Sequence, residues 1–465
     1  MTIVTPAPGK PNVLLGRFDI AELGYIAEEF FVSGTASSYR PAAKLRPGGR
    51  WSVTPLATAD YTTRIVVLTP ADPATFNGTV LVEWLNVSGG IDAPAVWFMA
   101  HREIVRSGYA YVAVSAQQVG IQGGVTRGGF DMSLKTQDPT RYAPLHHPGD
   151  AFSYDMYSHI AALVRGRNDV LRGLAPEHVV ALGESQSAFF LTTYVNAIDP
   201  LARAYDGFLI HSRFAPAAPL DGTSIFDTEQ PRMPQAVAFR PDLGVPLITV
   251  ITETDLVGGP ETGYYLARQP DGEHLRIWEI PGTAHADNYT IQVAPIDTGF
   301  APLDEIVAAY APTHMLMGQQ LSHAINFAPQ HHYVVQAALA RLCEWVGTGE
   351  PAPKAPRIAL TETQPPQPVL DSNGLAQGGV RTPWVDVPVA RTTGFGTDET
   401  AMSDLFGSGE FFDAATLRRL YPGGVADYLQ RFTTALDSAI QSGFILAADR
   451  DEILQIAAAT YPDGS

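Results

Sequence analysis

Apolar residues in this chain gather into short runs separated by polar or Gly/Pro-containing turns. Seven of these runs predict strands: Tyr61–Thr69, Thr79–Leu85, Gly108–Ala116, His178–Leu182, Asp206–Arg213, Val245–Ile251 and His274–Ile280. They are rich in β-branched and aromatic residues and bounded by turn formers. Between them lie stretches of helical character at Ala93–Arg106, at Tyr154–Arg165 and after Ser187. Strands alternating with helices give βαβ spacing, hence a parallel, doubly wound sheet with right-handed crossovers. Asn77-Gly78, between the first two runs, predicts a hairpin turn. Residues 13–60 alternate polar and apolar around Tyr25, Phe30, Phe31 and Tyr39, so residues 1–60 are expected to form a β-rich extension.

The α/β pattern sets the core at 61–350. Segments 117–150, 214–241 and 286–330 are too long for simple connections, and as insertions they would hang over the active edge as a cap. The third carries Phe300, Tyr310, Met315, Met317 and Phe327, suited either to an apolar pocket wall or to the core of a larger domain. The proline-rich Gly349–Ile358 marks a domain edge, and 351–465 is expected to pack on the core. Within it, Leu375–Pro388 is predicted extended and three helices follow. One starts after Asp413. One is Val425–Ser442, with Val425, Leu429, Phe432, Leu436 and Ile440 on one face and Gly443 as its stop. One opens with a capping box from Asp449 to Glu452.

The stretch His178–Asn196 joins an apolar strand to an apolar helix through Gly183-Glu184-Ser185-Gln186-Ser187. A serine on such a turn, with tiny residues two positions either side, is the pattern of a nucleophile elbow. Bulk at those positions would strike the neighbouring strand or helix. Ser187 stands where G-x-S-x-G has its second glycine. Downstream, the Val245–Ile251 run leads to Glu253 and Asp255, and the His274–Ile280 run leads to His285. Serine, acid and histidine in that order, each just past a strand, is the chain order of an α/β-hydrolase triad. Strand-end residues of a doubly wound sheet converge on one edge. Asp255 is the favoured acid because it lies deeper in the turn; Glu253 is the alternative, since strand alternation would point both the same way. An oxyanion pocket would draw on the backbone N–H of Gln186 and on one from the Asn86–Gly89 loop, Val87 or Ser88. His211 and Arg213 emerge at the same edge, placed either to bind substrate or to satisfy a buried strand end.

Composition narrows the partners. A chain of 465 residues that is 45% hydrophobic and 17% charged can bury a large core. Its net charge of −18 argues against nucleic acid, which requires clustered Lys and Arg. The one cysteine, Cys343, excludes an internal disulfide and a thiolate cluster, and its helical run Tyr333–Val346 makes it a small buried hydrophobe. His146-His147 and His331-His332 are adjacent rather than four apart, so they are read as structural and no metal site is expected. With no P-loop, dinucleotide fingerprint or H-E-x-x-H, no cofactor is expected either. The start MTIVTPAPGKPN lacks a leader pattern, and no apolar stretch approaches the roughly 18 residues of a spanning helix. The expectation is a cytoplasmic protein acting on a small-molecule ester, without nucleic-acid or membrane partners, with homo-oligomerisation left open.

Elbow, acid and histidine, with FNGTVLVEWLNVSGG at 76–90, resemble the α/β-hydrolase superfamily. More narrowly, the chain is similar to the long bacterial α/β-hydrolase domain-containing serine hydrolase/esterase group. That likeness extends through FDIAELGYIAEEFFVSGTA, LHHPGDAFSYDMYSHI, IPGTAHAD and GGVRTPWVDVPVA, and so over nearly the whole chain. It implies an α/β-hydrolase fold and ester hydrolysis through Ser185, His285 and an acid after the preceding strand. An acyltransferase, or an amidase or peptidase, could use the same triad. A binding protein on a hydrolase scaffold is the alternative outside catalysis.

Overall fold

A computed structural model describes residues 2–127, 129–166, 169–225, 233–259, 261–396 and 403–462. The chain forms two compact units and passes between them at 248/249, 265/266, 275/276, 341/342 and 351/352.

The first unit is built on a sheet. Its strands are β1 (Ile3–Pro6), β2 (Tyr25–Pro41), β3 (Val53–Pro70), β4 (Thr79–Trp84), β5 (Ala110–Val114), β6 (His178–Glu184) and β7 (Gly207–His211), in the order β1-β2-β3-β5-β4-β6-β7. The sheet continues through β8 (Leu247–Thr252) and β9 (Leu275–Ile280), each of which starts in the first unit and ends in the second. Pairing is antiparallel from β1 to β5 and parallel from β5 through β4 and β6 to β7. Every residue of β4 and β5 is buried, as expected where helices cover both faces of a parallel sheet.

Two features differ from the sequence reading. Asn77-Gly78 does not make a hairpin, because β5 lies between β3 and β4 and pairs with both. The Asn77 side chain instead accepts the Thr79 N–H at 2.9 Å while its backbone N–H meets the Gly108 carbonyl at 3.1 Å. The turn is as read, but strand pairing is set by long-range packing. Likewise residue 60 is no domain boundary. It lies within β3, which pairs with β2 over nearly its whole length, and the N-terminal segment belongs to the main sheet.

Three helices of this unit flank the future site: α1 (Ala95–Arg106), α2 (Ser153–Gly166) and α3 (Gln186–Thr193). Aromatic rings fasten them to the strands. Trp84 on β4 lies 4.8 Å from Tyr157 of α2 and 5.2 Å from Phe190 of α3, centroid to centroid. Rings of this size dominate core energetics. At the start of α1, Glu83 accepts the N–H groups of Val96 (2.8 Å) and Trp97 (3.0 Å) and the Tyr111 hydroxyl (2.7 Å). Burial still pushes its carboxyl up to about 8.

The second unit holds α4 (Glu253–Val257) and α5 (Leu303–Tyr310). Helix α6 (Gln330–Thr348) starts in this unit and ends in the first. The second unit ends with α7 (Ala414–Leu420), α8 (Val425–Gln441) and α9 (Arg450–Ala459). Leu417, Tyr428, Phe432, Leu436, Ile453 and Ala457 from these last helices form one apolar cluster with Tyr333 of α6. Asp413 caps α7 through the Thr416 N–H, and Gly443 adopts a left-handed φ of 80° just past α8. The expected capping box at α9 is not formed, since Asp449 makes no side-chain cap bond. Leu375–Pro388 is not extended throughout, because Pro383–Asp386 makes a helical turn. In 286–330, Tyr310 and Phe327 line an apolar cavity of about 250 Å³, whereas Phe300 and Met317 are exposed. Residues 226–232 of the expected 214–241 insertion lie outside the described residues. No helix among the described residues is long and apolar enough to cross a membrane.

Candidate active site

Ser185 is the single residue between β6 and α3, with φ 54° and ψ −116°. A side chain is rarely found in this backbone region, and such strain concentrates at functional sites. The turn is held from both sides. The Ser185 N–H donates to the His211 carbonyl at the end of β7, at 3.0 Å. A Cβ at Gly183 would lie 2.7 Å from the Leu191 Cδ1, so glycine lets α3 pack against the strand. Ser187 works by chemistry where a second glycine works by absence. Its Oγ accepts the Glu184 N–H at 3.0 Å and donates to the Glu184 carbonyl at 2.8 Å.

The Asn86–Gly90 loop is tied to this elbow. Asn86 Nδ2 donates to the Glu184 side chain at 3.1 Å. Of the two N–H groups expected to face an oxyanion, that of Ser88 donates to Asn86 Oδ1 at 2.8 Å, closing a local turn. The Ser88 N–H is thus bonded within its own loop. The Val87 N–H donates to the side-chain carbonyl of Gln186 at 3.2 Å. Gln186 is the first residue of α3, so its own N–H has no acceptor within the helix. An amide carbonyl from the chain thus rests on the Val87 donor.

In the second unit, His285 Nδ1 lies 2.6 Å from Asp255 Oδ1. The other oxygen of Asp255 accepts the Thr252 N–H at 2.9 Å, and Thr252 Oγ1 accepts the Asp255 N–H in return. This capping box at α4 fixes the carboxylate in place. Thr254 Oγ1 accepts the His285 N–H at 3.1 Å, which seats the histidine loop on the same turn. Glu253 does different work. It accepts the N–H groups of Gly282 (2.6 Å) and Gly394 (2.9 Å) and the Thr393 hydroxyl (3.0 Å), while burial raises its carboxyl above the usual range. Of the two candidate acids, Asp255 touches the imidazole and Glu253 braces the loop before it.

The residues read as substrate-binding are otherwise engaged. The Arg213 guanidinium donates to the carbonyls of Phe214, Ala215 and Val237 and lies 4.6 Å from the Phe239 ring centroid. Through these bonds it ties the backbone just past β7. The His211 ring contacts the Ser212 hydroxyl at 3.1 Å. The paired histidines also have local partners. His147 meets the Ala116 carbonyl at 3.0 Å, and His331 meets Asp287 at 3.0 Å. Asp287 stands two residues past His285 in the H-A-D-N stretch, which is the one sequence sign of this second imidazole–carboxylate pair. Sequence reasoning also missed a cavity of about 200 Å³ beside the elbow, lined by Val87, Gln117, Gln118, Asp150, Gln186 and Phe190 among others.

The sequence profile of the family described as "Alpha/beta hydrolase domain" matches residues 3–455. No protein of curated function matches the sequence. Among solved structures, a glucuronoyl esterase from Solibacter usitatus is similar at 12% identity, covering 60% of this chain and 80% of its own, with a TM-score of 0.31. A cold-adapted esterase from an Arctic intertidal metagenomic library shares 11% identity over 55% of this chain and 84% of its own, TM-score 0.30. A dienelactone hydrolase from Anabaena variabilis ATCC 29413 shares 13% over 57% and 97%, TM-score 0.28.

Proposed function

We propose that this chain, which belongs to the alpha/beta hydrolase family, cleaves a carboxylic ester by way of an acyl-serine intermediate. The observation that carries the reading is the strained backbone of Ser185 at the strand-to-helix junction. A structural serine gains nothing from that conformation, whereas a nucleophile needs its oxygen lifted clear of the sheet.

In this reading Ser185 Oγ attacks the ester carbonyl carbon while His285 Nε2 takes the hydroxyl proton. Asp255, hydrogen-bonded to Nδ1, supports that tautomer and stabilises the imidazolium. The carbonyl oxygen gains negative charge as the tetrahedral intermediate forms. The N–H groups of Gln186 and Val87 would receive it, the Gln186 side chain having swung away from Val87. Each such donor is worth about 3–4 kcal/mol in the transition state. His285 then passes the proton to the departing alcohol. In the second half, water attacks the acyl group, giving its proton to His285, and the proton returns to Ser185 as the carboxylic acid leaves.

The test is covalent. A fluorophosphonate should label Ser185 alone in a peptide map, and Ser185→Ala should remain folded without turning over simple acetate esters. Labelling at another serine, or an active alanine variant, would remove Ser185 from the role. Adding primary alcohols to the assay distinguishes hydrolysis from acyl transfer by the product formed.

A further inference from the structure

The cavity beside the elbow combines apolar walls, Val87 and Phe190, with polar residues, Gln117, Gln118, Asp150 and Gln186. Gln117 is held at both ends of its amide. Its oxygen accepts the Trp84 Nε1–H at 3.1 Å, and its nitrogen reaches Asp150 Oδ2 at 3.4 Å. Asp150 Oδ1 accepts the Gln118 N–H at 2.7 Å. These contacts orient the carboxylate but do not neutralise it. Among the described residues Asp150 has no Lys or Arg partner; its titratable neighbours include His147 at 4.0 Å and the buried Tyr154. That histidine is buried and biased towards its neutral form, and its Nδ1 accepts the Gly149 N–H at 3.1 Å. Among the described residues the cavity therefore holds a carboxylate oriented by hydrogen-bond donors, with no Lys or Arg paired to it.

We infer that Asp150 selects the substrate: the group entering this cavity carries a hydroxyl donor or a positive charge, and esters bearing a carboxylate there are rejected. The inference rests on the hydrolase reading above, since Gln186, which lines the cavity, follows the nucleophile directly. A carboxylate brought within a few ångströms of Asp150 would face like-charge repulsion in a partly desolvated space. A hydroxyl would instead replace water as a donor to an oriented acceptor.

Four acetates of similar size test this: 2-methoxyethyl acetate, ethylene glycol monoacetate, acetoxyacetate and acetylcholine. Relative to the methoxy ester, kcat/KM should be several-fold higher for the glycol ester and at least tenfold lower for acetoxyacetate. Asp150→Asn should raise acetoxyacetate and lower acetylcholine, each against the methoxy ester in the same preparation, so partial misfolding cancels. Should that variant fail to fold, the wild type still decides. Discrimination against acetoxyacetate should shrink at about 1 M salt, where the screening length is about 3 Å. Labelled, active enzyme that treats acetoxyacetate and the methoxy ester alike overturns this inference alone. So does an Asp150→Asn enzyme in which all four rates move together. Absence of both Ser185 labelling and methoxy-ester turnover overturns the hydrolase reading beneath it.

Discussion

Replacing Ser185 by glycine should make the protein more stable than replacing it by alanine, against the usual ranking of those two residues. Both variants lose the hydroxyl, so any hydrogen bond through Oγ is lost equally. They differ in the Cβ, which alanine must hold at φ 54° and ψ −116° and glycine does not have. A residue in such a sparsely populated region costs of order 1–3 kcal/mol. Glycine forfeits about 0.5–1 kcal/mol through its freer unfolded chain. The net is about 1 kcal/mol in favour of glycine, or about 2 °C in thermal midpoint for a folding unit of this size. Scanning calorimetry on matched preparations of the two variants reads the difference directly, and neither should hydrolyse esters. A glycine variant equal to or below the alanine variant would show that the elbow is unstrained, and would remove the main support for Ser185 as nucleophile.

The two neighbouring acids should separate by readout. Asp255→Asn should lower kcat by about 10⁴-fold with little change in stability, because it favours the wrong imidazole tautomer. Glu253→Gln should cost about 1–3 kcal/mol of stability, as an amide cannot accept from all three of its donors, while the surviving folded fraction keeps its turnover. The reverse assignment of losses in kinetics and urea melts would exchange their roles. Burial pushes the Cys343 thiol up to about 12, so iodoacetamide should leave the native protein unlabelled and modify it only on unfolding. The Glu83 carboxyl, raised to about 8 when folded, contributes stability that is fully present below the ordinary glutamate value and lost as pH rises towards about 8. The stability advantage of wild type over Glu83→Gln, taken from urea midpoints, should therefore shrink between about pH 5 and 8; an advantage that grows would mean that the three donors keep Glu83 ionised.

What the sequence could and could not show follows from the range of the interactions involved. The elbow was legible because it is local: apolar period, small residues and serine all lie within a dozen positions. The choice between Glu253 and Asp255 was not, because it depended on where β8 stops. Read as strand, the two side chains share a face. In fact the strand ends at Thr252 and helix α4 begins at Glu253, so two residues turn the chain by about 200° and send the carboxylates apart. Asn77-Gly78 correctly marked a turn, yet no local signal says that β5, some thirty residues on, will fill the space between β3 and β4. Arg213 stood at the right edge of the sheet, but its partners are carbonyls whose positions only the folded backbone defines. The Gln186 side chain on Val87 and the carboxylate of Asp150 were invisible for the same reason.

The interleaving of the two units has a consequence for how the chain is made. All but twenty residues of the first unit precede Thr249, while the second unit has none before it. At ribosomal rates of about 5–20 residues per second, most of the first unit emerges roughly 10–40 s before synthesis reaches Ser465. The strained serine can thus take shape while the proposed base, His285, is still unmade or lies within the exit tunnel. Two short segments, Leu266–Leu275 and Leu342–Pro351, must then be threaded back to complete the first unit, the second of them only after most of the histidine-bearing loop region has been translated. Silent codon changes that slow translation between 249 and 341 would lengthen the life of a half-built sheet without altering one atom of the finished protein. The yield of active enzyme should therefore be sensitive to translation speed in that window, a dependence that no mutation of the site itself would reveal.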